Sequence, residues 1–201
     1  WLCRKNPKII TPSTKINPKI KIINLSKRLP WSGHSSRYAV NEIYKKITKS
    51  KKCLIFVNTR SQAEFLFQEL WKINTNNLKI AIHHGSLERN LRKNVEDKMA
   101  SGNLNAIVST SSLELGVDWA NIDLVFQVGG PKGINRLMQR IGRSNHQISK
   151  PSKAILVPTN RFEYIECLSA INEINKNNLE KVNFKEGSYD VLAQHILCLA
   201  C

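Results

Sequence analysis

The sequence predicts a three-layer α/β domain with a mostly parallel sheet over residues 35–175. Three observations support this prediction: short apolar runs of strand length, helical periodicity between them, and capping residues where helices should begin. Strands that alternate with helices of about 10–15 residues are joined by crossover connections, which place the strands parallel to one another. A chain of 201 residues can bury such a core without disulfides or a structural metal.

Five apolar runs are predicted to form the core of the sheet. They span residues 53–57, 78–82, 105–109, 123–128 and 154–157. The first of them is short and continuously apolar, which is typical of a strand that is buried on both faces. A further strand is predicted at residues 19–25, inside a segment rich in Lys and Pro (residues 1–34) that we interpret as a linker leading into the domain.

Helices are predicted between the strands from pairs of residues that suit a helix N-terminus. A Ser or Asn side chain can cap the first turn, and a nearby acidic residue favours the positive end of the helix dipole. The pairs are Ser61 with Glu64, Ser86 with Glu88, and Asn160 with Glu163. The three helices should reach about residues 73, 100 and 175. Helical spacing predicts further helices at residues 37–48 and 134–141.

The alternation of strands and helices ends after residue 175. Residues 188–201 are predicted to form an apolar helix that opens a following domain, so residues 176–201 should be the truncated start of a second unit. The sequence does not begin with Met, and we therefore expect it to start inside a longer protein.

Composition limits the class of protein. Hydrophobic residues make up 41% and charged residues 23% of the chain, which excludes a wholly disordered protein. Apolar runs all stay well below the roughly 18 residues that a membrane-spanning helix needs, so no membrane partner is expected. Five scattered Cys, an odd number, suit a reducing compartment better than a disulfide framework, which favours a cytoplasmic location.

The formal net charge of +16 favours a polyanionic partner such as nucleic acid. However, residues 1–52 contain 14 Lys and Arg against one acidic residue, whereas residues 53–201 contain 17 against 14. Most of the positive charge therefore belongs to the predicted linker and first helix. The case for nucleic acid depends on particular motif residues rather than on the net charge.

Three polar stretches directly follow predicted strands, and a fourth lies in the helix after the fourth core strand. They span residues 58–60, 83–86, 109–118 and 139–143. Because ligands bind at the carboxyl ends of strands in an open parallel sheet, we expect these stretches to meet at one edge. The Thr110 hydroxyl could bond a phosphate or cap a helix, and Gly85–Ser86 could offer backbone amides to a phosphate or form an ordinary turn.

The helix at residues 134–141 carries the sharpest of these features. Arg136, Gln139, Arg140 and Arg143 are separated by three or four residues and so share one helical face. Arginine suits phosphate because its planar guanidinium donates two hydrogen bonds at once and stays charged. Taken alone, the pattern also fits a solvated basic face.

Two motifs of nucleotide hydrolysis are missing from the sequence. There is no GxxxxGK[ST] loop to hold nucleotide phosphates, and no Asp-Glu pair follows an apolar strand to organise a metal ion and a water. We expect the chain alone not to hydrolyse ATP, and we assign it no metal ligands.

Taken in order, the motifs resemble those of the second RecA-like lobe of superfamily 2 helicases. The motifs are LIFVNTR (54–60), HHGSLER (83–89), STSSLELGVD (109–118) and QRIGR (139–143). Among these helicases, the motif sequences are most similar to those of the large helicase-related (Lhr) group. Residues 30–44 resemble the start of that group's second lobe, and residues 188–197 resemble the opening of its winged-helix domain.

On the nucleotide side, the resemblance implies roles for five residues. Gln139, Arg140 and Arg143 match the motif that faces ATP across a cleft, with Arg143 as the arginine finger and Arg140 as its catalytic neighbour. Gly116 and Asp118 match the segment that contacts the nucleotide and couples it to the strand track.

On the nucleic-acid side, the resemblance implies a track for the sugar-phosphate backbone. Its residues would be Thr110, Thr59, Arg60, Gly85 and Ser86. Contacts of this kind carry little sequence information, as a translocating motor requires. His146 lies where many superfamily members have a third arginine, and the Lhr group also tends to have His at this position.

The resemblance therefore implies the C-terminal motor lobe of an ATP-dependent DNA/RNA helicase. ATP with Mg²⁺ would be bound mainly by a first RecA-like lobe, which this sequence does not contain and which would act in cis or in trans. The partners would be that lobe and a nucleic acid, either a single strand or a duplex with a single-stranded tail. The alternative is a non-enzymatic nucleic-acid-binding or regulatory remnant of a helicase gene, which the missing phosphate loop favours.

Overall fold

A computed structural model describes residues 17–24, 28–115, 119, 122–144, 151–180 and 187–200. In these ranges the chain forms a six-stranded sheet of order β1-β6-β5-β2-β4-β3, and every neighbouring pair is parallel. The strands are β1 (Lys19–Ile22), β2 (Cys53–Phe56), β3 (Ile80–His83), β4 (Ala106–Ser109), β5 (Leu124–Val128) and β6 (Lys153–Val157). The prediction of a parallel α/β fold is confirmed.

Helices connect the strands and cover both faces of the sheet. They are α1 (Val40–Thr48), α2 (Arg60–Lys72), α3 (Arg89–Ala100), α4 (Ile134–Ile141), α5 (Arg161–Asn175) and α6 (Tyr189–Ala200). Two short 3₁₀ turns, Arg37–Ala39 and Ser111–Leu113, precede α1 and follow β4.

Strand β2 shows why the domain has three layers. Cys53 and Ile55 pack into the core with α1 and α2, whereas Leu54 and Phe56 pack on the opposite face with α4 and α5. Successive side chains of a strand point to opposite faces, so a strand with no exposed residue requires helices on both sides. The continuous apolar run was therefore a correct sign of a central strand.

The sheet extends into the segment that the sequence analysis interpreted as a linker. Strand β1 pairs with β6 in parallel, and its two lysines, Lys19 and Lys21, are exposed while Ile20 and Ile22 are half-buried. Lysines on an outer strand discourage pairing with another chain. The domain thus begins at least 16 residues before the boundary expected at residue 35, and the predicted strand at 19–25 is confirmed in its first four residues.

The chain after β1 is held against the corner between β6 and α5. The Asn160 side-chain amide donates to the carbonyl of Gly33 at 2.8 Å. The Thr159 hydroxyl donates to Glu163 Oε2 at 2.6 Å and lies 3.1 Å from the same carbonyl. The Tyr38 hydroxyl donates to the carbonyl of Pro158. Burial raises the pKa of Tyr38 well above its usual range, which keeps this hydroxyl a donor. These contacts make the segment before α1 part of the domain.

Of the three predicted N-caps, two are wrong and one is confirmed. The N-cap of α2 is Thr59, which forms a capping box with Gln62, because the chain is still extended at Thr59 as it leaves β2. Ser86 lies in the turn before α3 and does not cap it. The Asn160 side chain accepts from the Glu163 amide and caps α5 as predicted, at 2.9 Å.

All residues of α6 are exposed, including the large apolar residues Tyr189, Leu197 and Leu199. The helix lies where the sequence predicted it. In the part of the chain that the structure describes, no helix combines the length and the hydropathy needed to cross a membrane.

Candidate functional site

Polar residues at the carboxyl ends of the strands contact one another directly, as expected for one edge of a parallel sheet. The Arg60 Nη1 donates to the Ser86 Oγ at 2.9 Å and joins the end of β2 to the end of β3. The Thr110 amide donates to the His83 carbonyl at 3.3 Å and joins β4 to β3. These contacts bring the ends of β2, β3 and β4 together at one edge of the sheet.

The side chain of Arg140 lies inside the domain, with 2% of its surface exposed. Its Nε donates to Glu114 Oε1 at 2.8 Å, and its Nη2 donates to the same oxygen. Its Nη1 donates to Gln127 Oε1 at 2.5 Å and approaches Asn58 Oδ1 at 3.3 Å. The guanidinium also stacks over the Phe56 ring, 5.1 Å from its centroid. We call Asn58, Glu114, Gln127 and Arg140 the buried polar cluster.

The buried polar cluster connects four parts of the edge: the end of β2, the turn after β4, strand β5 and helix α4. Burial lowers the pKa of the Arg140 guanidinium, and the hydrogen bond and charge of Glu114 oppose that shift. A buried charge needs such a partner, because an uncompensated charge in the interior is strongly destabilising. Glu114 is therefore essential to the position of α4.

This placement corrects the expectation of a four-residue phosphate-binding stripe. Arg136 and Gln139 are exposed, Arg143 is half-buried, and Arg140 turns inward to the buried polar cluster. Helical spacing correctly put the four residues on one side of α4. It could not show that a carboxylate from another loop lies under the middle of that side.

Arg143 lies two residues beyond the end of α4, next to Ser144, which fixes this segment to strand β6. Ser144 is fully buried, and its hydroxyl accepts from the Lys153 amide at 2.9 Å. The same hydroxyl can donate to the carbonyl of Ile141 at 2.9 Å or to that of Lys153 at 3.1 Å. The end of α4 is thereby tied to the first residue of β6. Among the nucleotide-side candidates that the structure describes, Gln139 and Arg143 are at least partly accessible.

The other end of α4 is capped by a residue far along the chain. The N-cap position is Gly133, whose φ of +120° suits glycine and which has no side chain to offer. Glu180 takes that place: its Oε1 accepts from the Ile134 amide at 3.1 Å, and its carbonyl accepts from the Asn135 side chain at 2.9 Å. A carboxylate at this position also interacts favourably with the helix dipole.

Thr59, Arg60, Gly85 and Ser86 come together at the ends of β2 and β3, and all four are exposed. The Thr59 hydroxyl accepts from the Gln62 amide at 3.2 Å as the cap of α2, so its own proton can still be donated. Arg60 has several N–H groups and uses Nη1 on Ser86. This group could therefore bind a phosphate with hydroxyl and guanidinium donors.

Thr110 is half-buried at the end of β4. Among the described residues its side chain makes no capping hydrogen bond to the 3₁₀ turn that follows. Of the two roles that the sequence left open, the capping role is thus not the one in this structure. Gly116, Asp118 and His146, which the sequence analysis also singled out, lie outside the described residues.

The His83 side chain bridges helix α3 and the 3₁₀ turn that follows β4. Its ring is buried, its Nδ1 lies 2.7 Å from the Ser112 Oγ, and its Nε2 lies 2.9 Å from Glu96 Oε1. Burial lowers the pKa of His83, although the hydrogen bond and charge of Glu96 raise it in part.

Sequence reasoning missed the residues that hold the site in place: Asn58, Gln127, Glu114 and Glu180. One signal was present, since a polar Gln127 inside the apolar run of β5 requires a buried partner. Within the described residues, no group of three or more His, Cys, Asp or Glu is placed to hold a metal ion.

Comparison with known proteins places these features in a family. A family model described as the helicase conserved C-terminal domain matches residues 36–146. ATP-dependent helicase Lhr-Core protein 2 of Thermococcus barophilus is 39% identical over 155 residues, covering 77% of this chain and 18% of the relative. ATP-dependent helicase Lhr-Core of Methanocaldococcus jannaschii is 37% identical over 165 residues, covering 82% and 19%. The chain thus spans about a fifth of the length of these relatives.

Solved structures show the same fold. The Mycobacterium smegmatis helicase Lhr bound to ssDNA and AMP-PNP matches with a TM-score of 0.84 and 28% identity, covering 98% of this chain and 27% of that one. The C-terminal domain of the DEAD-box protein Dbp5 matches with a TM-score of 0.58 and 19% identity, covering 81% and 84%, which supports the RecA-like fold alone. The chain belongs to the helicase conserved C-terminal domain family, and within that family it is similar to the Lhr helicases.

Proposed function

We propose that this chain is the C-terminal motor lobe of an ATP-dependent helicase, which supplies an arginine finger and part of a nucleic-acid track. One observation carries the proposal: a buried ion pair, Arg140 with Glu114, joins the helix that leads to Arg143 to the loop that begins at Thr110. Nucleotide-side and strand-side candidates therefore belong to one rigid edge, as a motor that converts hydrolysis into strand movement requires.

The donors at the end of α4 suit the phosphates of ATP. A guanidinium and an amide side chain donate hydrogen bonds to phosphate oxygens, and both Arg143 and Gln139 are at least partly exposed. The described residues offer no comparable set of carboxylates for Mg²⁺. We therefore assign the metal ion, and most contacts to ATP, to a first RecA-like lobe in cis or in trans, and we expect the chain alone not to hydrolyse ATP.

Within this proposal, Arg143 would stabilise the negative charge that develops on the transferring phosphoryl group. Gln139 would help orient the phosphates, and Gly116 and Asp118 would contact the nucleotide from the neighbouring loop. Because its guanidinium is buried, Arg140 would act by holding α4 against Glu114 rather than by touching ATP.

The strand track would consist of Thr110, Thr59, Arg60, Gly85 and Ser86. Their donors are hydroxyls, a guanidinium and backbone amides, which bind phosphate oxygens without reading the bases. The contact between Arg60 and Ser86 supports this grouping, since it brings two separate loops to one place. Residues 176–201, with the exposed helix α6, are proposed to begin a winged-helix domain.

The test joins this chain in one polypeptide to the first lobe of the M. jannaschii Lhr-Core relative and measures ATP hydrolysis with and without single-stranded DNA. Arg143→Ala should lower the stimulated turnover by on the order of a thousandfold, as expected for an arginine finger. Lys98→Ala is the control, because it removes a positive charge from an exposed position on a different helix, α3. Undiminished turnover in Arg143→Ala would contradict the finger assignment.

A joined protein that binds DNA but never hydrolyses ATP would instead favour the alternative, a non-enzymatic binding module. The salt response tests the strand track under either hypothesis. Binding through backbone phosphates should weaken steeply as salt rises, with a slope of log K against log salt of about −0.7 for each phosphate neutralised on a single strand.

A further inference from the structure

His83 occupies a position that no proposed role yet explains. It is the last residue of β3, its ring is 1% exposed, and it lies between α3 and the 3₁₀ turn Ser111–Leu113. The ring contacts one hydrogen-bonding group on each side: Glu96 of α3 at 2.9 Å and Ser112 of the turn at 2.7 Å. A buried histidine with both nitrogens bonded is held in one orientation.

The contacts determine which way each hydrogen bond runs. A carboxylate only accepts, so the Nε2 that faces Glu96 must carry the ring proton and donate it. In a neutral ring the other nitrogen, Nδ1, is then an acceptor, and the Ser112 hydroxyl must donate to it. The Ser112 hydroxyl also lies 3.4 Å from the His83 carbonyl, but the contact to Nδ1 is shorter by 0.7 Å and is the one that its single proton makes.

The same residue touches both proposed strand-binding loops. Its carbonyl accepts from the Thr110 amide at 3.3 Å, and Ser112 lies two residues beyond Thr110. Toward the other side, Gly85 and Ser86 follow His83 within three residues on the turn out of β3. Backbone and ring of one histidine therefore set the distance between Thr110 and that turn.

We propose that His83 is a positioning residue for nucleic-acid binding, whose neutral ring, oriented by Glu96, holds Ser112 and thereby aligns Thr110 with the Gly85–Ser86 turn. This inference rests on the proposed function, since it assumes that these loops bind the sugar-phosphate backbone. His83 itself touches no strand.

The surroundings of the ring favour its neutral form. Burial is the main cause that lowers the pKa of His83, and the positive charge of Arg92 and neighbouring His84 add to it. Glu96 acts in the opposite direction without cancelling the effect. The hydrogen bond that the Ser112 hydroxyl donates requires an Nδ1 without a proton, and therefore a neutral ring.

Two substitutions separate the two ends of the bridge. In His83→Asn the side-chain oxygen can occupy the place of Nδ1 and still accept from Ser112, while the contact to Glu96 is lost. In His83→Gln the amide can reach the place of Nε2 and still donate to Glu96. Ser112 then loses its shortest acceptor and keeps the longer contacts to the His83 carbonyl at 3.4 Å and to Ser109 Oγ at 3.3 Å. A merely structural role predicts that both variants bind single-stranded DNA alike once folded.

The experiment measures the affinity of the 201-residue chain for a fluorescent single-stranded DNA at fixed salt, together with urea unfolding of each variant. Loss of one neutral hydrogen bond that orders a loop should weaken binding by about fivefold in His83→Gln and Ser112→Ala, and by less than about twofold in His83→Asn. Ser101→Ala, which removes an exposed hydroxyl at the end of α3, is the matched control and should bind like the wild type.

The outcomes distinguish this inference from the proposed function. Thr110→Val tests the track directly: if the wild type does not bind DNA, or binds it as Thr110→Val does, the proposed role of the loop fails. If Thr110→Val weakens binding but Ser112→Ala does not, or if His83→Asn and His83→Gln bind equally, the loop binds DNA and the positioning role of His83 is overturned.

Discussion

Arg140 and Glu114 form an ion pair inside the domain, in which Nε of the arginine donates to Oε1 of the carboxylate at 2.8 Å. The two residues are 26 apart in sequence, one on helix α4 and the other directly after the 3₁₀ turn that follows β4. The pair therefore joins the segment that ends in Arg143 to the segment that begins at Thr110. A shift in either segment would have to break a buried charged contact or carry the other segment along.

The first prediction concerns this pair. Glu114→Ala should lower the free energy of unfolding by about 3–5 kcal/mol, because it leaves the Arg140 charge buried without its partner. Urea denaturation measures the change, and Asp97→Ala, at an exposed position of α3, should stay within about 0.5 kcal/mol of the wild type.

A double-mutant cycle then isolates the interaction. Combining Glu114→Gln with Arg140→Gln should cost less than the sum of the two single changes, with a coupling of about 0.5–3 kcal/mol. If the two losses of unfolding free energy are additive, Glu114 and Arg140 stabilise the domain independently of each other.

The second prediction compares two neighbouring glycines after β5. Gly129 has a φ of +86°, and a Cβ there would lie 2.9 Å from the Nδ2 of Asn58, which is itself bonded to the Gly130 carbonyl at 2.8 Å. A Cβ at Gly130 would instead overlap the end of the Glu166 side chain, which is exposed and can move.

Gly129→Ala should therefore be the more destabilising of the two, by about 1–2 kcal/mol from backbone strain, with a further loss if Asn58 moves. Gly130→Ala should cost well under 1 kcal/mol of unfolding free energy, the usual range for a change that a surface side chain can accommodate. The ordering is the result to check by urea denaturation, since a larger loss in Gly130→Ala would mean that Glu166 cannot move aside.

Local sequence patterns predicted those parts of the fold that local physics determines. Helix α4 was predicted with both of its bounds, and Asn160 was correctly identified as a cap, because a capping side chain needs only its own first turn. Thr59 with Gln62 and Ser61 with Glu64 have the same capping spacing, and local patterns could not choose between them. The choice depends on where β2 ends, which the neighbouring strands decide.

The candidate site was predictable in composition and location but not in its internal contacts. Arg140 and Arg143 have the same residue type and nearly the same place on α4, yet one is buried and the other half-exposed. Glu114 makes the difference, and Glu180 caps α4 from 46 residues away. Contacts between residues so far apart in sequence have no periodicity and no fixed spacing from which to predict them.

The third prediction concerns the cap of α4. Glu180→Ala should lower the free energy of unfolding by about 1 kcal/mol, because the Ile134 amide loses its acceptor. Glu180→Gln keeps an acceptor and loses only the charge at the helix N-terminus, so it should cost about 0.3–1 kcal/mol. Lys176→Ala, an exposed change in the same connecting segment, is the control for urea denaturation. Equal losses in all three variants would contradict a capping role for Glu180.

The fourth prediction is a pH dependence of stability that originates at His83. Its pKa in the folded protein is lowered from 6.5, chiefly by burial, whereas in the unfolded chain it takes its ordinary value. Well above pH 6.5 the ring is neutral in both states and contributes no slope. As the pH falls below 6.5 the unfolded state binds a proton that the folded state does not bind. The free energy of unfolding therefore decreases, by at most about 1.4 kcal/mol for each pH unit, until the folded pKa is reached.

Urea denaturation of the wild type and of His83→Asn between pH 8 and 5 measures this difference. The variant should lose less stability than the wild type over the acid part of that range, because it lacks the group that titrates; parallel curves would show that the pH dependence has another source.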